Sequence, residues 1–495
     1  MERAKSIYGV MMAMATMLAM PSYAQQENSK VWKELPVISI TSVNGEMPTA
    51  TKVYPPEGCV GESILSEHVP GRMVMTVEGD TVYDSGDYKK GESGMRFKIR
   101  GNTTGANLLQ HPYKLKLSKK ADLLSLGKDS KNKDFALLAM HTWNTAMTNE
   151  ESNILPIVGL AVCEALDMPW EPKTMPVDVV INDKYQGVYH LIESVSRADK
   201  RINTDDDGFV IENDAYWWKP GEAYFRTSHQ EAANYMGFTF KYPDGDDLTE
   251  EQNASIKSYM ERVEDAIYNE KGASDLIDYK SFARWILAHD MLGSWDAAGS
   301  NMYLYCVSMG KNDDDSKLRM ATLWDFDSSF MSASDDWSQQ HWSYLFYYLN
   351  LFHDADFVKT YLDLYDKYKD TVYPYVENRL NDFRTTKGEA FEHSLDKHRA
   401  TYGDGQCFNS LDVQINDVLT HMKARMEGLK TLMANLKGQW TAMEGVSSVA
   451  NPSLVARSNA YGVDCTGIAE SSLRPGIYIE RYSDGTVKKV LKQTK

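Results

Sequence analysis

Hydrophobic and polar positions change period along this chain, and the changes divide it. From Gln25 to Gly94, short β-branched runs such as PVISITSV and RMVMTVEG alternate with NG, EGD and SGD turn signals, which predicts extended structure leading into a sheet. RFKIRG then alternates strictly, with Met95, Phe97 and Ile99 on one face and Arg96, Lys98 and Arg100 on the other. YKLKL repeats the pattern, setting Tyr113, Leu115 and Leu117 against Lys114 and Lys116. Between them lies the glycine-containing loop GNTTGAN. If the two strands pair, one face of the hairpin is cationic.

Glu151–Leu166 is apolar at helical spacing, with Pro156 marking a start or kink. VDVVI and GVYHLIES flank the turn NDKYQ, which predicts a second hairpin, with Glu193 ending its second strand. An apolar helical segment around Phe282, Trp285 and Ile286 stops near Gly293. A loop with Asp296 and Asn301 follows, then the strand-like runs MYLYCV and LRMATLW, joined by a polar tip containing Asp313–Asp315. Beyond Phe330 the apolar spacing is helical through FVKTYLDLYDKYKDTVYPYVENRL and VQINDVLTHMKARMEGLKTLMANL.

The chemistry gathers around residues 289–330. A hairpin brings the start of its first strand beside the end of its second, so Asn301 is expected next to Asp325 and Asp327. Such hard oxygen ligands suit Mg²⁺, which takes few protein oxygens and keeps positions for water and phosphate. The cationic face of the earlier hairpin (Arg100, Lys114, Lys116) reads either as the solvated side of a sheet or as a phosphate cradle. The loop between its strands is not a P-loop. Glu193 either pairs with a site lysine or caps the loop after its strand. Asn203–Asp214 matches part of a calcium-loop spacing, but departs at both ends and runs into a strand, so it reads as an acidic turn.

Composition narrows the classes. At 495 residues, with 42% hydrophobic and 11% aromatic positions, the chain can bury a large core. A net charge of −17 sets nucleic-acid binding aside. Residues 1–24 have a charged start, a short apolar run and a small-residue end, the pattern of a cleaved signal peptide. No later run is long enough to span a bilayer, so the expectation is an exported chain with no transmembrane segment. The five cysteines show neither CxxC nor zinc spacing, and Cys163 and Cys306 read as core residues. No hydrolase signature is present.

Several stretches taken in order resemble the CotH-type (spore coat protein H) kinase family. They are MRFKIRGNTTG, HPYKLKL, KDFALLAM, VDVVINDKYQGVYHLIES, and the block in which Asp296 precedes Asn301 and the W-D-x-D of Trp324–Asp327. The resemblance spans about Met95 to Phe330. It implies an α+β fold: an atypical protein-kinase-like core of antiparallel hairpins, a helical C-terminal subdomain and a small β-rich tail. It further implies ATP- and Mg²⁺-dependent phosphoryl transfer to Ser or Thr of a protein substrate. Asp296 would serve as base, Asn301, Asp325 and Asp327 as metal ligands, Arg100 and Lys114 or Lys116 as phosphate partners, and Glu193 as a lysine partner. Trp324 or Trp295 could stack on adenine or pack in the core. The family's usual Arg-Asn pair falls where this chain has Ser152-Asn153, so the arginine is missing. That departure and the export signal favour a rival reading, a surface or periplasmic binding module on the same scaffold. The expected divisions are 1–24 signal peptide, 25–94 β-rich region, 95–440 kinase-like domain, 441–458 linker and 459–495 β-rich tail.

Overall fold

A computed structural model describes residues 31–140, 152–233, 236–294, 297, 300–330, 350–403, 408–447, 454–459, 465–468, 473, 476–482 and 487–492. Residues 1–24, Trp295 and Asp296 lie outside them.

The first half builds a barrel. Its strands are β1 (Val37–Ser42), β4 (Val69–Val77), β6 (Met95–Ile99), β7 (Tyr113–Ala121), β8 (Asn132–Leu138), β9 (Thr174–Ile181) and β10 (Lys184–Glu193). They run in the order β1-β9-β10-β8-β7-β6-β4, and β4 pairs back onto β1 to close the ring. Only the β1–β9 contact is parallel. A strand β5 (Asp80–Asp84) extends β4, and a small hairpin of β2 (Ala50–Val53) and β3 (Ser63–Ser66) stands beside the ring. Closure removes the exposed sheet edges that would otherwise invite pairing with other chains. The β-rich region before residue 95, expected to lead into the sheet, supplies β1 and β4 to the barrel itself.

Alternation fills the interior. Met95, Phe97 and Ile99 of β6 and Leu115 and Leu117 of β7 point inward and are buried among Met73, Leu137, Val179 and Leu191. On the outer side of β8 and β10, Ala136, Val188 and Ile192 instead join the main core with helix α2 (Leu155–Ala165). Pro156 sits in the first turn of α2, where its missing N–H costs no helical bond. Between β6 and β7 the loop folds into one short turn, α1 (Thr103–Asn107).

A second sheet follows, ordered β12 (Tyr224–Phe225), β13 (Gly237–Tyr242), β11 (Phe209–Asp214), β14 (Met302–Cys306) and β15 (Arg319–Met320). Its inner face, with Ile211, Phe238, Phe240, Met302 and Leu304, packs on the helical core. The turns and helices around it are α3 (Ser228–Ala233), α4 (Glu250–Tyr268), α5 (Ala273–Leu276) and α6 (Tyr279–Leu292). Thr249 and Gln252 close a capping box on α4, and Gly293 ends α6 in the left-handed region (φ 61°). Helices α7 (Ala355–Tyr368), α8 (Val372–Tyr402) and α9 (Leu411–Ser447) complete the core. Helix α8 packs on α2 and β10, and α7 and α9 pack on α6. A three-stranded sheet of β16 (Leu454–Asn459), β17 (Gly476–Tyr482) and β18 (Val487–Lys492) ends the chain.

Two expectations need correction. The run LRMATLW is a strand only at Arg319–Met320; the Thr322 carbonyl leaves the ladder and accepts the Trp285 indole N–H at 3.1 Å. The expected linker from residue 441 is helical as far as Ser447, and β16 begins at Leu454. Among the described residues no helix is long and apolar enough to cross a membrane. Cys163 and Cys306 are buried free thiols. The acidic turn is a staple: Asp207 accepts from the Ser308 hydroxyl at 2.9 Å and the Gly310 N–H at 2.8 Å.

Candidate active site

The polar face of the second sheet turns toward the outer face of β6 and β7. Period-two alternation puts Glu212 and Asp214 on the same side of β11, and the ladder sets Glu212 opposite Thr239 of β13 and Tyr303 of β14. Lys241, two residues beyond Thr239, joins them. Across from this face stand Arg100 and the loop Gly101–Thr104, and the Trp324–Asp327 segment closes one side. The cavity between them is open to solvent on one side and measures about 250 Å³.

One hydrogen-bonded row organises the floor. Lys241 Nζ lies 2.8 Å from Glu212 Oε2 and donates to Thr239 Oγ1 at 3.2 Å. The Thr239 hydroxyl donates to Asp214 Oδ2 at 3.1 Å, and the Tyr216 N–H meets Asp214 Oδ1 at 2.7 Å. The other oxygen of Glu212 accepts the Asn301 N–H at 3.0 Å. Burial, reinforced by the negative charge of Glu212, pushes the Asp214 carboxyl up to about 7. Although burial opposes it, the flanking Glu212 and Asp214 carboxylates raise the Lys241 ammonium above its ordinary range.

The structure brings Asn301, Asp325 and Asp327 together on the cavity wall. Asn301 (φ 67°) and Asp325 (φ 63°) both adopt the left-handed backbone conformation. That is ordinary for Asn, and for Asp it is the kind of local strain that clusters at functional sites. Burial raises the Asp325 carboxyl above the usual carboxylate range; the Arg100 guanidinium and the Asp327 N–H pull the other way. Arg100 also lies over the Trp324 ring, 5.6 Å from its centroid. Trp324 is thus a wall of the cavity, only 5% exposed. Gly101 (φ 87°) is required where it stands, since a Cβ there would lie 2.3 Å from Thr104 Oγ1.

The remaining expected residues stand elsewhere. Lys114 is beyond the lining but within electrostatic reach of Lys241, and burial together with Lys98 and Lys241 lowers its ammonium against the pull of Asp134. Lys116 lies one pair further along the strand, opposite Arg96 and Asp134. Glu193 does not line the cavity. It pairs at 3.1 Å with Arg201, and it accepts the Lys173 N–H at 3.0 Å. Of the two expected positions for Glu193, it takes the one that anchors the following loop. Asn153 is buried against His190, whose Nε2 lies 2.6 Å from its carbonyl oxygen. Glu212, Asp214 and Lys241 were missed from sequence. The signal is there in the alternation of VIEND and GFTFKY, but it needs the long-range pairing of β11 with β13 to acquire meaning.

The donor set fits a hard divalent cation. Asn301, Asp325 and Asp327 offer oxygen, and the neighbouring Ser300 hydroxyl is buried with no hydrogen-bond partner among the described residues. Among the described residues no group of three or more His, Cys, Asp or Glu side chains converges on a single point, so a cation here would rest on two carboxylates and an amide oxygen.

The family model described as CotH kinase protein matches residues 97–401. The chain belongs to the CotH kinase family. The matched span includes every lining residue of the cavity, from Arg100 to Asp327, and runs to the end of α8. No curated protein matches the chain. Family membership supports kinase-like chemistry in general terms, with nucleotide as the general class of ligand.

Proposed function

We propose that this CotH-family protein is an exported, ATP- and Mg²⁺-dependent kinase with an atypical kinase-like core, transferring phosphoryl groups to Ser or Thr of a protein substrate. The observation that carries the reading is the convergence of Asn301, Asp325 and Asp327 with Arg100 and Lys241 around one cavity. Phosphoryl transfer asks a protein mainly for positioning and charge stabilisation, and this cavity offers both.

Asn301, Asp325 and Asp327 would hold Mg²⁺, which neutralises phosphate charge when bound. Arg100 and Lys241 supply fixed positive charge toward the phosphates, and Lys114 adds to it from just beyond the lining. Gly101 lets the backbone of the loop approach closely. Glu212 is a positioning residue: it aims Lys241 with one oxygen and fixes the Asn301 backbone with the other. Asp296, five positions before Asn301 in the sequence, would accept the proton of the incoming hydroxyl. The signal-peptide pattern of residues 1–24 supports the exported part of this reading.

Calorimetry with ATP and Mg²⁺ on the wild type, Asp325→Ala and Asp296→Ala tests the reading. Asp325→Ala should abolish Mg²⁺-dependent nucleotide affinity. Asp296→Ala should keep that affinity and lose turnover by about 10²–10⁴-fold, the usual effect of a positioned base. Absence of heat with the wild type would give the scaffold to the binding-module reading.

A further inference from the structure

The cavity accounts for Arg100 and Lys241 but leaves a row of cations unexplained. Along β6, Arg96 and Lys98 continue the outward face that begins with Arg100, and the register sets Lys98 directly opposite Lys114 and Arg96 directly opposite Lys116. Like charges in directly opposed positions destabilise a sheet. These four side chains are half-buried rather than free in solvent, in contrast to Lys119 and Lys120 further along β7. None of the four makes an ion pair with another described residue. This occurs in a chain of net charge −17, in which carboxylates outnumber cations.

The surroundings feel this field, which Asp134, opposite Lys116 on β8, offsets only in part. His68, just before β4, has a buried Nε2 with no partner among the described residues, and its imidazole is pushed down to about 4, by burial first and then by Lys98, Arg96, Lys114 and Lys116. At the inner end Lys98 and Lys241 act on Lys219, which lines the cavity, so the row is electrostatically continuous with the site. An anionic ligand would relieve all of these repulsions together.

We propose that the outer face of β6 and β7, through Arg96, Lys98 and Lys116, docks a carboxylate-rich segment of the acceptor protein. The word acceptor rests on the phosphotransfer reading above; the docking does not. From Arg96 to Arg100 the strip spans roughly 13 Å, the length of about four extended residues. An extended peptide with acidic side chains at alternate positions matches that spacing. It would lead the hydroxyl of a neighbouring Ser or Thr toward the cavity. A long nucleic acid fits less well, because it would meet the acidic remainder of the surface beyond so short a strip.

The test uses the full chain and a fluorescein-labelled peptide of alternating Glu and Ser, read by anisotropy. A Lys–Ser peptide of equal length, a single-stranded oligonucleotide and inorganic triphosphate serve as comparisons. The Glu–Ser peptide should bind, more weakly as salt rises, and the Lys–Ser peptide should not. The double substitution Arg96→Ser with Lys116→Ser should weaken peptide binding by about tenfold while changing MgATP affinity by less than about twofold. Lys116→Arg alone should retain peptide binding, and an unchanged thermal transition would show that the variants fold. Equal peptide binding by wild type and double variant overturns the proposal, as does tighter binding of the oligonucleotide. Loss of MgATP or triphosphate affinity with peptide binding unchanged also overturns it, and would assign the strip to the nucleotide. Strip-dependent peptide binding without any MgATP affinity would uphold the docking surface and sink the phosphotransfer reading instead.

Discussion

Glu212 holds Lys241 at 2.8 Å with one carboxylate oxygen and the Asn301 backbone N–H at 3.0 Å with the other. A single side chain on β11 thereby ties the cation of β13 to Asn301, the first residue of the proposed metal-binding wall. Loss of either partner should be felt on both sides of the cavity.

Lys241→Met leaves Glu212 and Asp214 close together without their shared cation. The expected cost is about 3 kcal/mol of stability at neutral pH, the usual result of stranding one partner of a buried pair. Adding Glu212→Gln should recover part of it. Urea unfolding of the two single variants and the double variant measures the coupling, and simple additivity would show that the pair does not act as one unit.

Asp325→Asn should separate stability from binding. Its carboxyl is disfavoured by burial and its backbone is left-handed, a conformation that Asn adopts readily. The ligand-free variant is expected to be as stable as the wild type or more so, by roughly 1 kcal/mol. It should no longer gain thermal stability from Mg²⁺ and ATP. A variant that is destabilised yet still responds to MgATP would contradict the assignment of Asp325.

Glu193→Ala should act on folding alone. Glu193 and Arg201 are both nearly fully buried, at 3.1 Å, so the truncation strands a guanidinium in the core. A loss of about 3–5 kcal/mol is expected, with MgATP affinity unchanged in the folded protein. Chemical unfolding and calorimetry on the same preparation check the two halves of the statement.

Asp290, on α6, should give stability a pH dependence unrelated to the cavity. Burial holds its carboxyl up at about 7, against the opposing pull of Arg425 and the Tyr361 hydroxyl. Between about pH 4 and pH 7 the folded protein keeps a proton that the unfolded chain has released, so this group's contribution to stability falls as pH rises through that window. Asp290→Asn should flatten the profile, the difference growing to roughly 4 kcal/mol above pH 7. Urea midpoints measured from pH 4 to pH 8 would reveal it, and parallel profiles for the two proteins would refute it.

Much of this molecule was legible from local pattern. The alternation of Met95–Arg100 and Tyr113–Leu117 predicts two strands with one apolar and one cationic face, and β6 and β7 have those faces. Helix α2 and the long helices after residue 354 follow from their spacing and, for α2, from Pro156. The expected neighbourhood of Asn301, Asp325 and Asp327 rested on a hairpin, and the three do share a wall. Yet the second strand of that hairpin is only two residues long, because the following backbone is drawn to Trp285.

The sequence by itself determined which residues face which side of each strand and where helices begin, because these depend on near neighbours and on steric periods of two or 3.6 residues. Tertiary structure alone decided that β1 closes the barrel by pairing with both β4 and β9, across gaps of some thirty and more than a hundred residues. It alone decided that Glu212, Asp214 and Lys241 line the same cavity as Arg100, and that Glu193 meets Arg201 instead of a lysine there. Such contacts are set by which buried faces find one another, and a charge on a strand carries no local mark of the partner it will meet across the fold.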